Sequence, residues 1–213
     1  MGTPINVVEG HTQLARESEG VSAEVLGHLD VITRQCKRMA TIIRQLLDFS
    51  RRGGSKAQSC NLPAIVKETM NMLLPLAKKA QVDLIVKGNG LLDTDFKAGI
   101  GPSELQQVLL NVVINSVHAS PSGGKVEVEL RCSSEGDDSK PKVGLLVVRD
   151  SGTGMDAETM DRIFEPFFTT KQEGEGTGLG LALARGLVEA MAGRVGVDSE
   201  VDRGSTFWVE LPA

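Results

Sequence analysis

The sequence predicts an α+β protein in which a helical hairpin precedes an α/β sandwich, and three features of the chain lead to this prediction. A heptad pattern of apolar residues runs through residues 21–50, and a glycine-rich break follows at residues 51–56. From Pro63 onward, helical and strand patterns alternate. We therefore divide the chain into a helical domain, a short linker and a mixed domain.

The first domain, residues 1–52, is expected to be two helices. A short helix is predicted at residues 3–16, and the second helix carries the heptad seam. The seam residues are spaced alternately four and three apart: Val25, Leu29, Ile32, Cys36, Met39, Ile43 and Leu46. Two antiparallel helices with one apolar stripe each cannot bury both stripes alone, so we expect a dimeric four-helix bundle. An intramolecular hairpin packed on the second domain is the alternative.

Residues 53–61 are predicted to be the linker and residues 62–213 the second domain. The pattern predicts helices at 63–80, 102–120 and 178–192, and strands at 81–87, 125–132, 143–149, near Val195 and at 207–211. Residues 133–140 are polar and read as a hairpin loop. This mixed order predicts a sandwich with its helices on one face of the sheet.

Composition excludes several classes of function. The formal net charge is −5, and no basic run offsets it, so we do not expect nucleic-acid binding. Three cysteines far apart (Cys36, Cys60 and Cys132) indicate reduced thiols rather than a disulfide framework. No apolar run approaches the roughly 20 residues that span a bilayer. We therefore expect a cytoplasmic piece without membrane contact, whose parent protein could carry a membrane-bound sensor upstream.

Two asparagines four residues apart, Asn111 and Asn115, share one face of the predicted helix at 102–120. A carboxamide offers a carbonyl oxygen to Mg²⁺ and an amine to phosphate oxygens. His118 follows within one turn and can donate to phosphate. Capping or ending a helix is the plainer alternative for such asparagines, and spacing alone favours it.

Asp150 ends an apolar strand and opens the segment Asp-Ser-Gly-Thr-Gly. A carboxylate at this position can accept a hydrogen bond from the exocyclic amine of adenine, which guanine does not offer. Gly152 and Gly154 allow the backbone to approach a purine closely. An ordinary strand-to-turn sequence is the alternative.

Three glycines, Gly176, Gly178 and Gly180, precede or open the predicted helix at 178–192, where exposed N–H groups and the helix dipole favour an anion. Residues 155–177 are expected to form a lid over that anion, with Lys171 approaching the phosphates. The predicted anchors of the lid are Phe164, Phe167 and Phe168, and residues 173–176 supply its mobility. A tight turn at residues 204–207 is expected to support the base from below.

Together, the segments at residues 111–115, 150–154, 164–171, 176–180 and 204–207 resemble the catalytic domain of sensor histidine kinases. That family shares its GHKL, or Bergerat, ATP-binding fold with gyrase B, mismatch-repair ATPases and heat-shock chaperones. The resemblance implies ATP and Mg²⁺ as cofactors, with Asn115 at the metal and Asp150 at adenine. It implies catalytic roles for Asn111, Asn115 and Lys171. The implied cofactor-binding residues are Asn111, Asn115, His118, Asp150, Gly152, Gly154, Lys171, Gly176, Gly178, Leu179, Gly180 and Thr206.

Asn111 bears on the choice between kinase and ATPase. In the family's ATP-hydrolysing relatives, a glutamate that activates water as a general base stands in its place, and a carboxamide cannot take that proton. The resemblance therefore favours transfer of the γ-phosphate to a histidine and then to a response-regulator aspartate. A GHKL-fold ATPase or serine kinase, and a nucleotide-binding dimerisation module without phosphotransfer, are the alternatives.

The first residues resemble the segment that follows the phospho-acceptor histidine in the family's H box. Thr3 and Pro4 match that pattern, and Thr3 corresponds to a residue with a phosphatase-type role. The histidine and glutamate of the pattern do not occur before Thr3, and His11 and His28 do not replace them. We therefore interpret the chain as an N-terminally truncated kinase that does not phosphorylate itself. The resemblance implies a homodimer through the helical hairpin and a response-regulator receiver domain as partner.

Overall fold

The computed structural model describes residues 3–18, 20–50, 59–88, 96–133, 143–171 and 176–212. The chain divides into two compact units. One comprises Met1–Gly54 with Thr170–Thr177, and the other comprises Ser55–Thr169 with Gly178–Ala213. The linker predicted at residues 53–61 falls largely outside the described residues, as does the polar loop predicted at 133–140.

In its described residues, the first unit contains two helices, α1 (Thr3–Arg16) and α2 (Ala23–Ser50). Gly20 turns the chain between them with a φ of +82°, a conformation that glycine adopts without steric cost. The Ser22 hydroxyl then accepts a hydrogen bond from the N–H of Val25 at 3.3 Å, which caps the start of α2. The helical hairpin predicted from the sequence is confirmed.

The apolar seam of α2 is divided between buried and open positions. Cys36 is buried, whereas Val25, Ile32 and Met39, seven residues apart, remain 46 %, 42 % and 47 % exposed. On α1, Val7 and Leu14 are also seven residues apart and exposed. One heptad position on each helix therefore presents apolar side chains that this chain alone does not cover.

The second unit is built on a five-stranded mixed sheet. In chain order its strands are β2 (Asp83–Lys87), β4 (Lys125–Ser133), β5 (Val143–Asp150), β6 (Arg194–Glu200) and β7 (Gly204–Pro212). They lie side by side in the order β2-β4-β5-β7-β6. The β2–β4 pair is parallel and the other pairs are antiparallel. A small separate pair, β1 (Cys60–Asn61) and β3 (Lys97–Ala98), was not predicted, because two residues carry no alternation signal.

Four helices lie in the described part of this unit: α3 (Leu62–Lys79), α4 (Pro102–Ala119), α5 (Ala157–Arg162) and α6 (Gly180–Ala190). The side chain of Asn61 caps α3 by accepting from the N–H of Ala64 at 2.8 Å. At the other end, Gln81 has a φ of +57° and Val82 donates to the carbonyl of Ala77, which closes the helix in a Schellman motif. The strand expected from residue 81 therefore begins only at Asp83.

The core lies between the helices and one face of the sheet. Alternate residues of three strands contribute to it: Val126, Val128 and Leu130; Leu146 and Val148; Phe207, Val209 and Leu211. From α4, the core receives Leu105, Val108, Leu109, Val112, Val113 and Val117. The predicted α+β sandwich with helices on one face is confirmed, and α4 is its central helix.

The opposite face of the sheet carries ion pairs. Glu129 is 8 % exposed and accepts hydrogen bonds from Arg131 at 2.8 Å and from Arg149 at 2.9 Å. The Arg131 guanidinium, with that of Arg149, lowers the pKa of Glu129 to about 2. This network crosses from β4 to β5 and holds the two strands in register.

Within the described part of the chain, no helix is both long enough and apolar enough to cross a membrane.

Candidate functional site

The site is centred on Asp150, the last residue of β5. Its side chain lies on the helix-facing side of the sheet and the residue is 8 % exposed. Its Oδ1 accepts from the N–H groups of Gly152 at 2.9 Å and Ser205 at 3.1 Å. Its Oδ2 is buried and has no hydrogen-bond partner among the described residues. One carboxylate oxygen is therefore fixed by the protein, and the other is available as an acceptor.

Two opposing effects act on the ionisation of Asp150. Burial raises the pKa of its carboxyl, and the hydrogen bonds from the Gly152 and Ser205 N–H groups oppose that rise. The Ser116 hydroxyl on α4 opposes it as well, although Ser116 Oγ makes no hydrogen bond of normal geometry. Burial has the larger effect, so the carboxyl has a raised pKa.

The turn after Asp150 is closely packed. A side chain on Gly152 would place a Cβ 2.7 Å from the carbonyl oxygen of Ala119 and 2.8 Å from Oδ1 of Asp150. Gly154 has a φ of +64°, and a Cβ there would collide with the carbonyl of Glu200. Glycine is therefore required at both positions.

Asn111 and Asn115 lie one turn apart on α4 and are half-buried. The Asn111 Nδ2 group is buried without a partner among the described residues. A Cβ added to Gly180 would lie 3.2 Å from Asn111 Oδ1, so this amide sits beside the first residue of α6. His118 lies further along α4 with its side chain exposed.

The start of α6 is shaped by Gly178, Leu179 and Gly180. Leu179 is the N-cap residue, and no side chain caps the helix there. Gly178 has a φ of +64°, and a Cβ on it would meet the backbone of Phe167. The Phe167 N–H donates to the Gly178 carbonyl at 2.9 Å. The glycine therefore allows the chain before α6 to pass directly against residue 167.

The roles of all the predicted site residues stay predictions, and three of these residues are not described together with Asp150. Lys171 and Gly176 belong to the unit that contains the helical hairpin, apart from the unit of Asp150 and the asparagines. The backbone of Thr3 begins α1, and its side chain lies outside what the structure describes. The predicted mobile residues 173–175 also lie outside the described residues.

The first half of the predicted lid is folded rather than open. Asp156 caps the six-residue helix α5 by accepting from Thr159 N–H at 2.8 Å, and Ile163 is buried. Phe164 and Phe168 pack against the core as expected. Phe167 does not, because it is 61 % exposed with a φ of +69° that turns its side chain outward. The prediction of Phe167 as an anchor was wrong.

Two arginines make cation–π contacts with the packed phenylalanines Phe164 and Phe168. The guanidinium of Arg162 lies 4.4 Å from the ring centre of Phe168, and that of Arg185 on α6 lies 5.8 Å from the ring centre of Phe164. Such cation–π contacts contribute about 0.5–1 kcal/mol each at exposed sites. The contact between Arg185 and Phe164 ties the segment after β5 to α6, and the contact between Arg162 and Phe168 lies within that segment.

Ser205, rather than the predicted Thr206, lies beside Asp150. Ser205 and Phe207 are buried on the core side of β7, so Thr206 points to the other face, where it pairs with Arg149 in the strand register. Thr206 therefore does not join Asp150. The sequence could have shown this, because strand alternation places Thr206 on the face opposite to the apolar Phe207. The contacts of Ser116 and Ser205 with Asp150 depend on packing, which a sequence pattern does not record.

Comparison with known families assigns the chain to a class. Residues 101–213 match the family described as histidine kinase-, DNA gyrase B-, and HSP90-like ATPase. Residues 1–55 match the His Kinase A (phospho-acceptor) domain. The chain belongs to the histidine kinase-, DNA gyrase B- and HSP90-like ATPase family, and its two matched segments form the catalytic core of a sensor histidine kinase.

Individual relatives agree with this assignment. The chain is 35 % identical to sensor kinase CckA of Brucella abortus (strain 2308) over 85 % of its own length. It is 34 % identical to the signal transduction histidine-protein kinase AtoS of Escherichia coli (strain K12) over 98 % of its length. It spans only 20 % and 32 % of these two proteins, respectively.

Solved structures of similar fold are also histidine kinases. Full-length ShkA in complex with AMPPNP superposes with a TM-score of 0.74 at 25 % identity, covering 99 % of this chain and 43 % of that one. Histidine kinase ThkA in complex with the response regulator TrrA has a TM-score of 0.69 at 22 % identity, covering 99 % of this chain and 58 % of that one. The second likeness concerns the fold alone.

Proposed function

We propose that this chain binds Mg·ATP between α4 and the start of α6 and serves as the ATP-binding core of a two-component histidine kinase. The observation that carries the proposal is the buried Oδ2 of Asp150, which lacks a partner beside a carboxylate oxygen that has two. Buried polar atoms in proteins are almost always paired, so an unpaired acceptor at a glycine-lined turn indicates a ligand atom.

The donor set fits an adenine nucleotide. Asp150 Oδ2 is an acceptor, and adenine presents its exocyclic amine as a donor, whereas guanine presents a carbonyl there. The unpaired Nδ2 of Asn111 is a donor that suits a phosphate oxygen. The complex of ShkA with AMPPNP, an ATP analogue, supports the same nucleotide for this chain.

We assign the phosphate end to residues around the first turn of α6. Asn115 offers its carbonyl oxygen to Mg²⁺. The uncapped start of α6 presents the positive end of the helix dipole to the anion, with Gly178, Leu179 and Gly180 lining it. Lys171, Gly176 and His118 remain proposed phosphate contacts.

The bound nucleotide supplies the phosphoryl group, and the protein supplies position and charge. Asn111 cannot accept a proton from water, so it gives no general base for hydrolysis. Asn115 would hold the Mg²⁺ that offsets the phosphate charge, the positive end of the α6 dipole would add to that effect, and Asp150 would fix the base. In the whole protein, we propose that the phosphoryl group passes to a histidine of the helical unit and then to a response-regulator aspartate.

The partners follow from the same assignment. Exposed apolar positions on α1 and α2 support a homodimer through the helical hairpin. The complex of ThkA with TrrA supports a response-regulator receiver domain as the second partner. In that setting, Thr3 is our candidate for orienting water during dephosphorylation of the regulator. ATP and receiver domains are available in the cytoplasm, where we propose that this core acts.

The test uses the whole protein with radiolabelled ATP and the variants Asn115→Ala and Asn71→Ala. Asn71 is an exposed asparagine on α3 and serves as the matched control. We expect an acid-labile, base-stable phosphate on the wild type and on Asn71→Ala, and at least a tenfold loss on Asn115→Ala, roughly the effect of one lost charge-assisted contact. Rapid phosphate release into solution instead, lost on Asn115→Ala, would favour the ATPase alternative.

A further inference from the structure

The proposed ATP site assigns no role to the buried hydroxyl of Ser116. Ser116 follows Asn115 on α4 and is only 1 % exposed. Its Oγ has no hydrogen-bond partner among the described residues, whereas its own carbonyl accepts from both the N–H and the hydroxyl of Ser120. A buried hydroxyl without a partner raises the free energy of the folded state, so its presence needs an explanation.

Other hydroxyls on the helices are satisfied within their own helix. Three threonines donate to the carbonyl oxygen four residues earlier: Thr12 to Val8 at 2.6 Å, Thr33 to Leu29 at 2.9 Å and Thr69 to Ile65 at 2.7 Å. This is the usual arrangement for a hydroxyl inside a helix. Ser116 does not adopt it, although a carbonyl lies one turn before it as well. Its hydroxyl is therefore not satisfied by its own helix.

The group that Ser116 influences is the Asp150 carboxylate. Its hydroxyl favours the ionised form of Asp150 against the effect of burial. The groups facing this carboxylate come from three elements: Ser116 from α4, the Gly152 N–H from the turn after β5, and the Ser205 N–H from β7. In the part of the chain that the structure describes, no charged side chain contributes to the shift of Asp150. The two N–H groups donate to Oδ1, whereas Oδ2 and the Ser116 hydroxyl are both buried without a hydrogen-bond partner of normal geometry among the described residues.

We infer that Ser116 is a positioning residue for the nucleotide base: its hydroxyl donates to Asp150 Oδ2, keeps the carboxylate ionised and directs its second lone pair to the base. A carboxylate oxygen has two lone pairs, so it can accept from the hydroxyl and from an adenine amine together. This inference rests on the proposed ATP site and deepens it, because it names what selects the base.

The inference has a consequence for selectivity. Without the hydroxyl, Asp150 takes up a proton at a higher pH and then donates instead of accepting. A protonated carboxyl no longer accepts from the adenine amine, but it can donate to the carbonyl of guanine. The preference for ATP over GTP should therefore fall with decreasing pH, and Ser116→Ala should bring that fall to a higher pH.

The first measurement needs no nucleotide. The carboxyl carbon of Asp150 is titrated by ¹³C NMR in the wild type, Ser116→Ala, Ser116→Thr and Ser120→Ala. The pKa of Asp150 should rise in Ser116→Ala and stay at the wild-type value in Ser116→Thr, which restores a hydroxyl. Ser120→Ala is the matched control, since its hydroxyl on the same helix binds only a backbone carbonyl. An unchanged titration in Ser116→Ala, or an equal rise in Ser120→Ala, overturns the inference.

The second measurement is calorimetry with Mg·ATP and Mg·GTP. Carried out across a range of pH, it should show that the ATP affinity of Ser116→Ala begins to fall at a higher pH than that of the wild type, because its Asp150 carboxyl takes up a proton earlier. A loss of affinity that is the same at every pH would indicate a packing role and contradict the inference. Alanine is the best helix former, so Ser116→Ala should fold, and Ser116→Cys replaces it if circular dichroism shows that it does not.

The two measurements separate the two proposals. If the wild type binds neither nucleotide, the proposed function fails, and the titration of Asp150 without nucleotide still decides whether Ser116 controls the carboxylate. If nucleotides bind and the titration is unaffected by Ser116→Ala, only the inference fails.

Discussion

At the scale of single residues, the site depends on how each polar atom of Asp150 is satisfied. The type of residue at Asp150, Asn111 and Asn115 could be predicted from the sequence, because a carboxylate after a strand and two amides on one helix face are local patterns. The roles of Ser116 and Ser205 could not, because they arise only when α4 and β7 pack against the end of β5.

The backbone at Gly178 gives a residue-scale prediction. Gly178→Ala combines a left-handed φ of +64° with a Cβ directed into the Phe167 backbone. We expect a loss of about 2–4 kcal/mol in unfolding free energy, made up of left-handed strain and steric overlap. Chemical denaturation of the second unit within the whole chain measures it.

Gly123 is the control for that experiment. It has a φ of +80° with open space around its Cβ position, so Gly123→Ala should lose only about 1 kcal/mol from backbone strain. If the two variants were equally destabilised, the close approach between residues 167 and 178 would not hold in solution.

At the scale of secondary structure elements, long periodic segments were predictable and short ones were not. The heptad seam indicated α2, and the alternation from Val126 to Leu130 indicated β4. The helix α5 was not predicted, because six residues form less than two helical turns and show no clear periodicity. Asp156 was instead interpreted as part of a lid. The order of strands in the sheet also lay beyond the sequence, since it is set by contacts between residues far apart in the chain.

The ion network between β4 and β5 gives an element-scale prediction. The pKa of Glu129 is lowered from 4.5 to about 2, so its contribution to stability is present above pH 4.5 and is lost as the pH falls toward 2. Because its arginine partners are half-exposed, we expect Glu129→Gln to cost about 1–2 kcal/mol at pH 7. The difference from wild type should shrink between pH 4.5 and pH 3 in thermal unfolding.

Glu200 provides the comparison, because its ion pair with Arg203 is exposed on both sides. Glu200→Gln should change the stability by less than about 0.5 kcal/mol at either pH. A Glu129→Gln variant that was as stable as wild type at pH 7, or whose deficit was as large at pH 3 as at pH 7, would show that the network does not hold the strands.

At the scale of the whole molecule, the chain consists of a helical unit and a mixed α+β unit with different requirements. The mixed unit buries its own core, whereas the helical unit leaves apolar positions seven residues apart uncovered on both helices. The sequence pattern leads to the proposal of a dimer because of this excess of apolar surface. It could not predict that Thr170–Thr177 would group with the helices, because that grouping depends on tertiary contacts.

The uncovered seam gives a prediction about assembly. Ile32 is 42 % exposed, and in a homodimer it would pack against the partner's helices. Ile32→Lys should shift the chain from dimer to monomer in light scattering, since a charge in an apolar seam is poorly solvated. Arg34→Ala, an exposed change on the opposite side of α2, should remain dimeric. A monomeric wild type would contradict the proposed bundle.

The account as a whole depends on Asp150 as the acceptor for an adenine base. The most direct measurement is calorimetry with Mg·ATP on the wild type, Asp150→Asn and Asp198→Asn, the last being an exposed aspartate on β6. Wild type and Asp198→Asn should bind equally, and Asp150→Asn should bind roughly 10- to 100-fold more weakly, as for one hydrogen bond to a charged acceptor. Binding of ATP to Asp150→Asn with wild-type affinity, or no binding to the wild type, would contradict the account.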